Sequence, residues 1–155
     1  MSQIEESMQA PAFDLPTDDG GSVSLDRLKG RTIVLFFYPK ADTPGCTTES
    51  QDFTRLLPDF EAAGAVVIGV SRDPVKKLAR FRTKHELGVI LASDEAGAVT
   101  EAYGVWGEKT LYGRVYMGIE RATILIDGAG IIRRTWRKVS VKSHADAVLA
   151  AVMTL

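Results

Sequence analysis

The chain holds a single cysteine, Cys46, inside the run Pro39-Lys-Ala-Asp-Thr43-Pro-Gly-Cys46-Thr-Thr-Glu49. One thiol excludes an internal disulfide framework, a thiolate-rich zinc site and a two-cysteine relay within one chain. Any thiol chemistry therefore runs through Cys46. Just before this run, Thr32 to Tyr38 (TIVLFFY) is an unbroken β-branched and aromatic stretch, the pattern of a strand buried on both faces. Pro39 ends it, because proline cannot donate to a β-ladder. Helical periodicity follows, so Cys46 falls in the first turn of a helix at the carboxyl end of a central strand. Ligand sites of α/β folds gather there, and the unpaired N–H groups of the helix start stabilise a thiolate. A free thiol with a pKa of about 8.5 is only roughly a tenth ionised near neutral pH, whereas one lowered to about 6 is mostly thiolate.

Taken alone, each neighbouring residue has an ordinary role. A solitary cysteine is most often a small buried hydrophobe. Thr43 fits a turn or cap, Pro39 a strand terminator, Glu49 a favourable first-turn carboxylate, and Arg121 a surface or ion-paired arginine. His85 and His144 sit in charged helical contexts without partner ligands at metal spacing, and both read as surface histidines. Arg133, Arg134, Arg137 and Lys138 cluster near a strand end and read as a solvated face. Trp106, Tyr112 and Tyr116 suit loop packing and the lining of an approach to the site equally well. Nothing in the sequence calls for a metal or cofactor.

The elements that must position these residues follow from pattern. Phe13 and Leu15, then Val23 and Leu25, flank Asp18-Gly-Gly-Ser22 and predict an N-terminal β-hairpin within Pro11 to Arg31. Thr47 to Ala63 reads as a helix with Phe53, Leu56, Leu57 and Phe60 on one stripe and a kink or break at Pro58. Ala65 to Val70 is a second buried strand. Asp73 is placed to cap, and Pro74 to open, a helix over Val75 to Glu86. Ile90 and Leu91 suggest a short strand, Asp94 to Tyr103 a helix, and Gly104 to Gly118 an aromatic, glycine-containing loop. Ala122 to Ile126 and Ile131 to Trp136 flank the hairpin turn Asp127-Gly-Ala-Gly130, and Ser143 to Met153 closes the chain as a helix capped by Ser143. This order is that of a thioredoxin-like α/β fold with a central sheet flanked by helices, within one domain spanning residues 1–155.

Composition agrees. The 155 residues are 45% hydrophobic and 25% charged, with net charge −1. That is an ordinary globular composition, with no overall field to favour nucleic acid or an anionic membrane. No stretch approaches the roughly 20 apolar residues of a membrane helix. Glu5 and Glu6, with no basic region before an apolar stretch, do not read as a secretory signal, and the expectation is a cytoplasmic, reducing compartment.

The spacing Pro39-x-x-x-Thr43-x-x-Cys46, the fuller Thr43-Pro-Gly-Cys-Thr-x-Glu49 and the distant Tyr116-Met-Gly-Ile-Glu-Arg121 resemble the peroxiredoxins. Within that family the chain looks most like the bacterioferritin comigratory protein, or peroxiredoxin Q, subfamily. The resemblance runs from the strand before Pro39 to the hairpin that starts at Leu125. It implies a thiol-dependent peroxidase that reduces hydrogen peroxide and organic hydroperoxides. Cys46 is then the peroxidatic nucleophile that becomes a sulfenic acid. The Thr43 hydroxyl and the Cys46 backbone N–H would donate to the peroxide oxygens, and Arg121 would favour the thiolate and bind a peroxide oxygen. Pro39 would pack over the site, and Glu49 would hold Arg121.

The chain departs from the subfamily in one respect. Many members carry a resolving cysteine five residues after the first or in the following helix, where this sequence has Gln51 and Arg82. The resemblance therefore implies a one-cysteine enzyme whose sulfenic acid is reduced by an external thiol: thioredoxin, glutaredoxin or a low-molecular-weight thiol. Subfamily members are monomers or homodimers. Two alternatives share the fold. A thiol–disulfide oxidoreductase needs Cys-x-x-Cys, and here the position three after Cys46 is Glu49. A redox sensor would oxidise Cys46 without efficient turnover.

Overall fold

The computed structural model describes residues 4–155. The buried TIVLFF run forms β3 (Thr32–Phe37), at the centre of a five-stranded sheet, after the short N-terminal hairpin of β1 (Asp14–Pro16) and β2 (Ser22–Ser24). Sheet order is β5-β4-β3-β8-β9, where β4 is Ala65–Ser71, β5 Ile90–Ser93, β8 Ala122–Ile126 and β9 Ile132–Trp136. Strands β3, β4 and β5 are parallel, while β8 runs antiparallel to both β3 and β9. The parallel strands are joined by helices α1 (Pro44–Ala62) and α2 (Val75–His85), as crossover connections require. A short helix α3 (Ala98–Ala102), a second ribbon of β6 (Trp106–Leu111) and β7 (Arg114–Ile119), and α4 (His144–Val152) complete the order. Helices flank a mixed sheet, as the pattern predicted.

Alternation along β3 divides the interior. Ile33, Leu35 and Phe37 face one core with Phe13, Leu15, Val23 and Tyr103. Val34, Phe36 and Tyr38 face the other, with Phe53 and Phe60 of α1, Phe81 of α2, Val148 of α4 and Cys46 itself. Gly69 on β4 is required here, since a Cβ at that position would lie 2.6 Å from the Phe36 ring. Cys46 thus sits at the edge of the helical layer. Among the described residues, no helix is long and apolar enough to cross a membrane.

Several local expectations change. Helix α1 continues through Pro58 to Ala62, so the proline does not break it. An interior proline costs about 3 kcal/mol, but burying Phe53 before it and Phe60 after it on one stripe is worth roughly 1.5–3 kcal/mol each. Residues 106–119 are a β-ribbon, not a loop, turned by Tyr112 and Gly113, both at positive φ (52° and 77°). That geometry matches a two-residue type I′ turn, which the bulky Tyr112 disguises in the sequence. The helix expected from Asp94 to Tyr103 is confined to α3. Asp94 instead caps it across the turn, its carboxylate accepting from the N–H groups of Val99 (3.2 Å) and Thr100 (2.7 Å). Neither expected cap forms. Ser143 is left-handed (φ 60°) with no side-chain capping bond to α4, and Asp73 caps no N–H of α2, its Oδ1 pairing with Lys77 Nζ of that helix at 3.2 Å. Asp73 accepts instead from the Ala41 N–H (2.7 Å) and the Ser71 hydroxyl (2.7 Å), tying the segment before Cys46 to the end of β4.

Candidate active site

Helix α1 opens at Thr43, whose extended backbone (φ −99°, ψ 155°) precedes Pro44 at the first helical position. The Thr43 carbonyl accepts from the Thr47 N–H (2.9 Å), and the Thr43 hydroxyl donates to the Lys40 carbonyl (2.7 Å). The resemblance implied Thr43 as a hydrogen-bond donor. With its proton committed to Lys40, the resting hydroxyl offers its lone pairs. Cys46 lies in the first turn, among N–H groups without helical partners, and is 1% exposed.

Arg121 reaches this turn from the residue before β8. Its Nη1 lies 2.6 Å from Glu49 Oε1 and its Nη2 3.4 Å from Cys46 Sγ, so one guanidinium spans both side chains. Gly45 makes room for it, since a Cβ there would stand 3.1 Å from Arg121 Nη2. Burial works against the Arg121 charge, yet the neighbouring Glu49 and Cys46 hold its pKa above the ordinary value. Burial pushes the Glu49 carboxyl up to about 7, with Arg121 pulling the other way and Asp52 adding to the rise. Among the described residues, Glu49 Oε2 has no hydrogen-bond partner, nor do two other buried groups, the Tyr38 hydroxyl and Ser50 Oγ. Burial also drives the Tyr38 phenol far above its usual pKa, so it stays protonated.

Of the five residues expected at the site, Cys46, Glu49 and Arg121 are in direct contact and Thr43 adjoins them in sequence. Pro39 lies to one side, half-buried in the wall of a cleft of about 460 Å³ with Trp106, Tyr116 and Met117. The Arg72 guanidinium stacks 3.4 Å over the Trp106 ring. Tyr112, by contrast, is 95% exposed at the ribbon tip. Arg133 pairs with Asp127 (3.4 Å) and Arg137 with Glu120 (2.7 Å), so the basic cluster is largely engaged at home. His85 is half-buried and pairs with Asp42 (2.8 Å).

His144 is a correction. It is buried, shares a 2.7 Å hydrogen bond with the Thr123 hydroxyl, and meets Phe53 and Trp136 edge-on. Its charged neighbours in sequence suggested a surface, but it begins α4 on the face that packs inward. The apolar Ala145 and Val148 of that same face were the available signal.

The residues matched by the AhpC/TSA family model, 7–135, contain this whole constellation. The chain is 46% identical over 146 residues to Bacillus subtilis peroxiredoxin Bcp, covering 94% of this chain and 93% of that protein. A solved structure of Xanthomonas campestris bacterioferritin comigratory protein, studied for its alkyl peroxide reduction activity, superposes with a TM-score of 0.90 at 42% identity, covering 97% of this chain and 98% of the other. A Xylella fastidiosa PrxQ cysteine-to-serine variant gives 0.94 at 35% identity, with 99% and 98% covered. Fold and site together define a thioredoxin-fold thiol peroxidase. The chain belongs to the AhpC/TSA family, and within it to the peroxiredoxins of the bacterioferritin comigratory protein, or peroxiredoxin Q, type.

Proposed function

We propose that the enzyme reduces hydrogen peroxide and organic hydroperoxides through Cys46 alone and is recycled by an external thiol. The observation that carries this reading is the Arg121 guanidinium spanning Cys46 Sγ and Glu49, beside the only thiol in the chain. The alkyl peroxide activity of the Xanthomonas relative supports the wider substrate range.

The Cys46 thiolate attacks one peroxide oxygen. An S–O bond forms, the O–O bond breaks, and the leaving oxygen takes a proton to become water or an alcohol. Cys46 is oxidised by two electrons to a sulfenic acid. Charge spreads over sulfur and both oxygens in the transition state, where fixed donors act most strongly. Arg121 and the Cys46 N–H supply those donors, Thr43 accepts from the peroxide O–H, and Pro39 limits access by water and stray thiols. Glu49 holds Arg121 and leaves its second face to the thiol. An external thiol then attacks the sulfenic sulfur, releasing water and forming a mixed disulfide, and a second thiol restores Cys46. The lone buried thiol fits a reducing, cytoplasmic setting.

Stopped-flow peroxide consumption, followed by non-reducing mass measurement, tests the cycle. One added oxygen per chain after one peroxide equivalent, then thiol-dependent turnover, is the expected result. Cys46→Ser should abolish the reaction and keep the fold, since the swap is nearly isosteric. A rapid disulfide-linked homodimer as the main product would replace the external-thiol step with resolution by a second Cys46.

A further inference from the structure

The segment between β9 and α4 returns across the site and is laced to the residues on either side of Arg121. Arg137 Nε and the Lys138 N–H reach Glu120 Oε2 (2.7 and 3.1 Å), and Arg137 Nη2 reaches the Gly104 carbonyl (2.8 Å). The Val139 N–H donates to the carbonyl of Arg121 itself (3.0 Å). At the far end, the His144–Thr123 bond closes the loop two residues beyond Arg121. Between these ties, Val141 packs toward Gly45, where an added Cβ would meet Val141 Cγ2 at 4.0 Å and Arg121 Nη2 at 3.1 Å. Arg121 Nη2 and Val141 Cγ2 thus both border the space above Gly45.

We infer that residues 137–144 act as a strap that holds Arg121 on Cys46, and that His144 is the positioning residue that pins it. The argument rests on the reading above, in which Arg121 acts on Cys46. Side-chain type supports the assignment. The slot between Phe53 and Trp136 needs a flat ring, and the buried Thr123 hydroxyl needs a partner, because an unpaired buried hydroxyl is costly. Only an aromatic ring with a polar edge meets both needs. A neutral imidazole also adds no second cation near Arg121, whose charge joins burial in disfavouring protonated His144. Without the pin, the strap would keep its ties at Glu120 and Arg121 but lose the anchor that presses Val141 toward the site.

Three variants test this. His144→Phe keeps the ring and removes the bond, Thr123→Val removes the hydroxyl at equal shape, and His144→Gln returns a polar atom near the position of Nε2. His144→Phe and Thr123→Val should each slow the first peroxide turnover about tenfold and raise the apparent pKa of Cys46, and the double variant should be no worse than either single one. His144→Gln, which restores the polar partner without the ring, should recover only part of both losses relative to His144→Phe. A purely structural role would lower Tm without moving the thiolate titration. Folded His144→Phe and Thr123→Val with unchanged titration and rate would overturn the strap. If His144→Phe does not fold, Thr123→Val alone decides. Cys46→Ser, measured alongside, keeps the two ideas apart: its residual activity would remove the nucleophile, whereas an inert Cys46→Ser with an unaffected Thr123→Val would remove only the strap.

Discussion

Arg121 and Arg82 are both partly buried arginines that join distant parts of the chain, and they are used in opposite ways. Arg82 stands where many relatives of this type are expected to carry a resolving cysteine. Its Nε and Nη2 grip the Asp18 carboxylate (2.6 and 2.9 Å), and its Nη1 and Nη2 cap the carbonyls of Leu87 (2.7 Å) and Val89 (2.8 Å). Asp18, only 4% exposed, belongs to the turn of the N-terminal hairpin, so this arginine staples that turn to the end of α2. Arg121 makes only two such contacts among the described residues, one to Glu49 and one to the Cys46 sulfur. A guanidinium with four of its five N–H donors engaged is a structural clamp. One with donors left over beside a thiol is equipped to receive a substrate oxygen.

The largest expected effects break this contrast. Arg121→Ala should cost the peroxide step about 2–4 kcal/mol, a hundredfold or more in rate, and raise the apparent pKa of Cys46. Stopped-flow kinetics and thiolate absorbance check both. Arg82→Ala should do the reverse. It leaves a buried carboxylate unpaired and should lower stability by about 3 kcal/mol, while folded molecules keep the wild-type rate for the first peroxide. Denaturant melts beside single-turnover kinetics separate the two. Equal rate losses in both variants would erase the distinction.

A subtler effect concerns pH. Glu49 has a folded pKa near 7, above the 4.5 of an ordinary carboxyl, because burial disfavours its charge. Between those values the folded state holds more protons than the unfolded one, so stability falls as pH rises from about 4.5 to about 7. His144 tilts the other way. Burial, then Arg121, lowers its pKa from 6.5 to about 4, so its stabilising neutral form is fully present above 6.5 and is lost as pH falls toward 4. The two contributions oppose each other across the same window. Glu49→Gln should therefore make the stability profile rise more steeply with pH between 4.5 and 6.5, and His144→Gln should make it fall. Tm measured across that range tests both slopes.

The smallest effect lies in the exposed ribbon. Tyr112 is solvent-exposed with positive φ in a turn that favours Asn-Gly. Tyr112→Asn should raise stability by about 0.5–1 kcal/mol and leave peroxide kinetics unchanged. A loss of stability would mean that the tyrosine ring packs against something in solution.

Local pattern was enough for the central strand, the Cys46 helix start, the crossover helices and the Asp127 hairpin, because each depends on periodicity, on proline or on glycine over a few residues. Motif spacing also carried Cys46, Thr43 and Arg121 to one place. Where the readings failed, tertiary contacts outweighed local preference. Pro58 was tolerated because α1 buries phenylalanines on both sides of it, and Ser143 and Asp73 lost their expected caps because backbone geometry and the Ala41 N–H claimed them. The ribbon of β6 and β7 escaped notice because Leu111, Val115, Tyr116 and Met117 remain exposed, leaving no alternation of buried and polar positions to read.

The sequence by itself determined that any thiol chemistry here runs through one cysteine at a helix start, since composition limits the available nucleophiles and local pattern sets where that residue falls. Only the tertiary structure decided how the Arg121 guanidinium divides between the thiol and Glu49, how deeply Glu49 is buried, that Arg82 is a clamp and that His144 is interior. Those outcomes depend on groups 21 to 75 residues apart in the chain. Distances of a few ångströms between such groups set their charges and partners, and no local pattern encodes them.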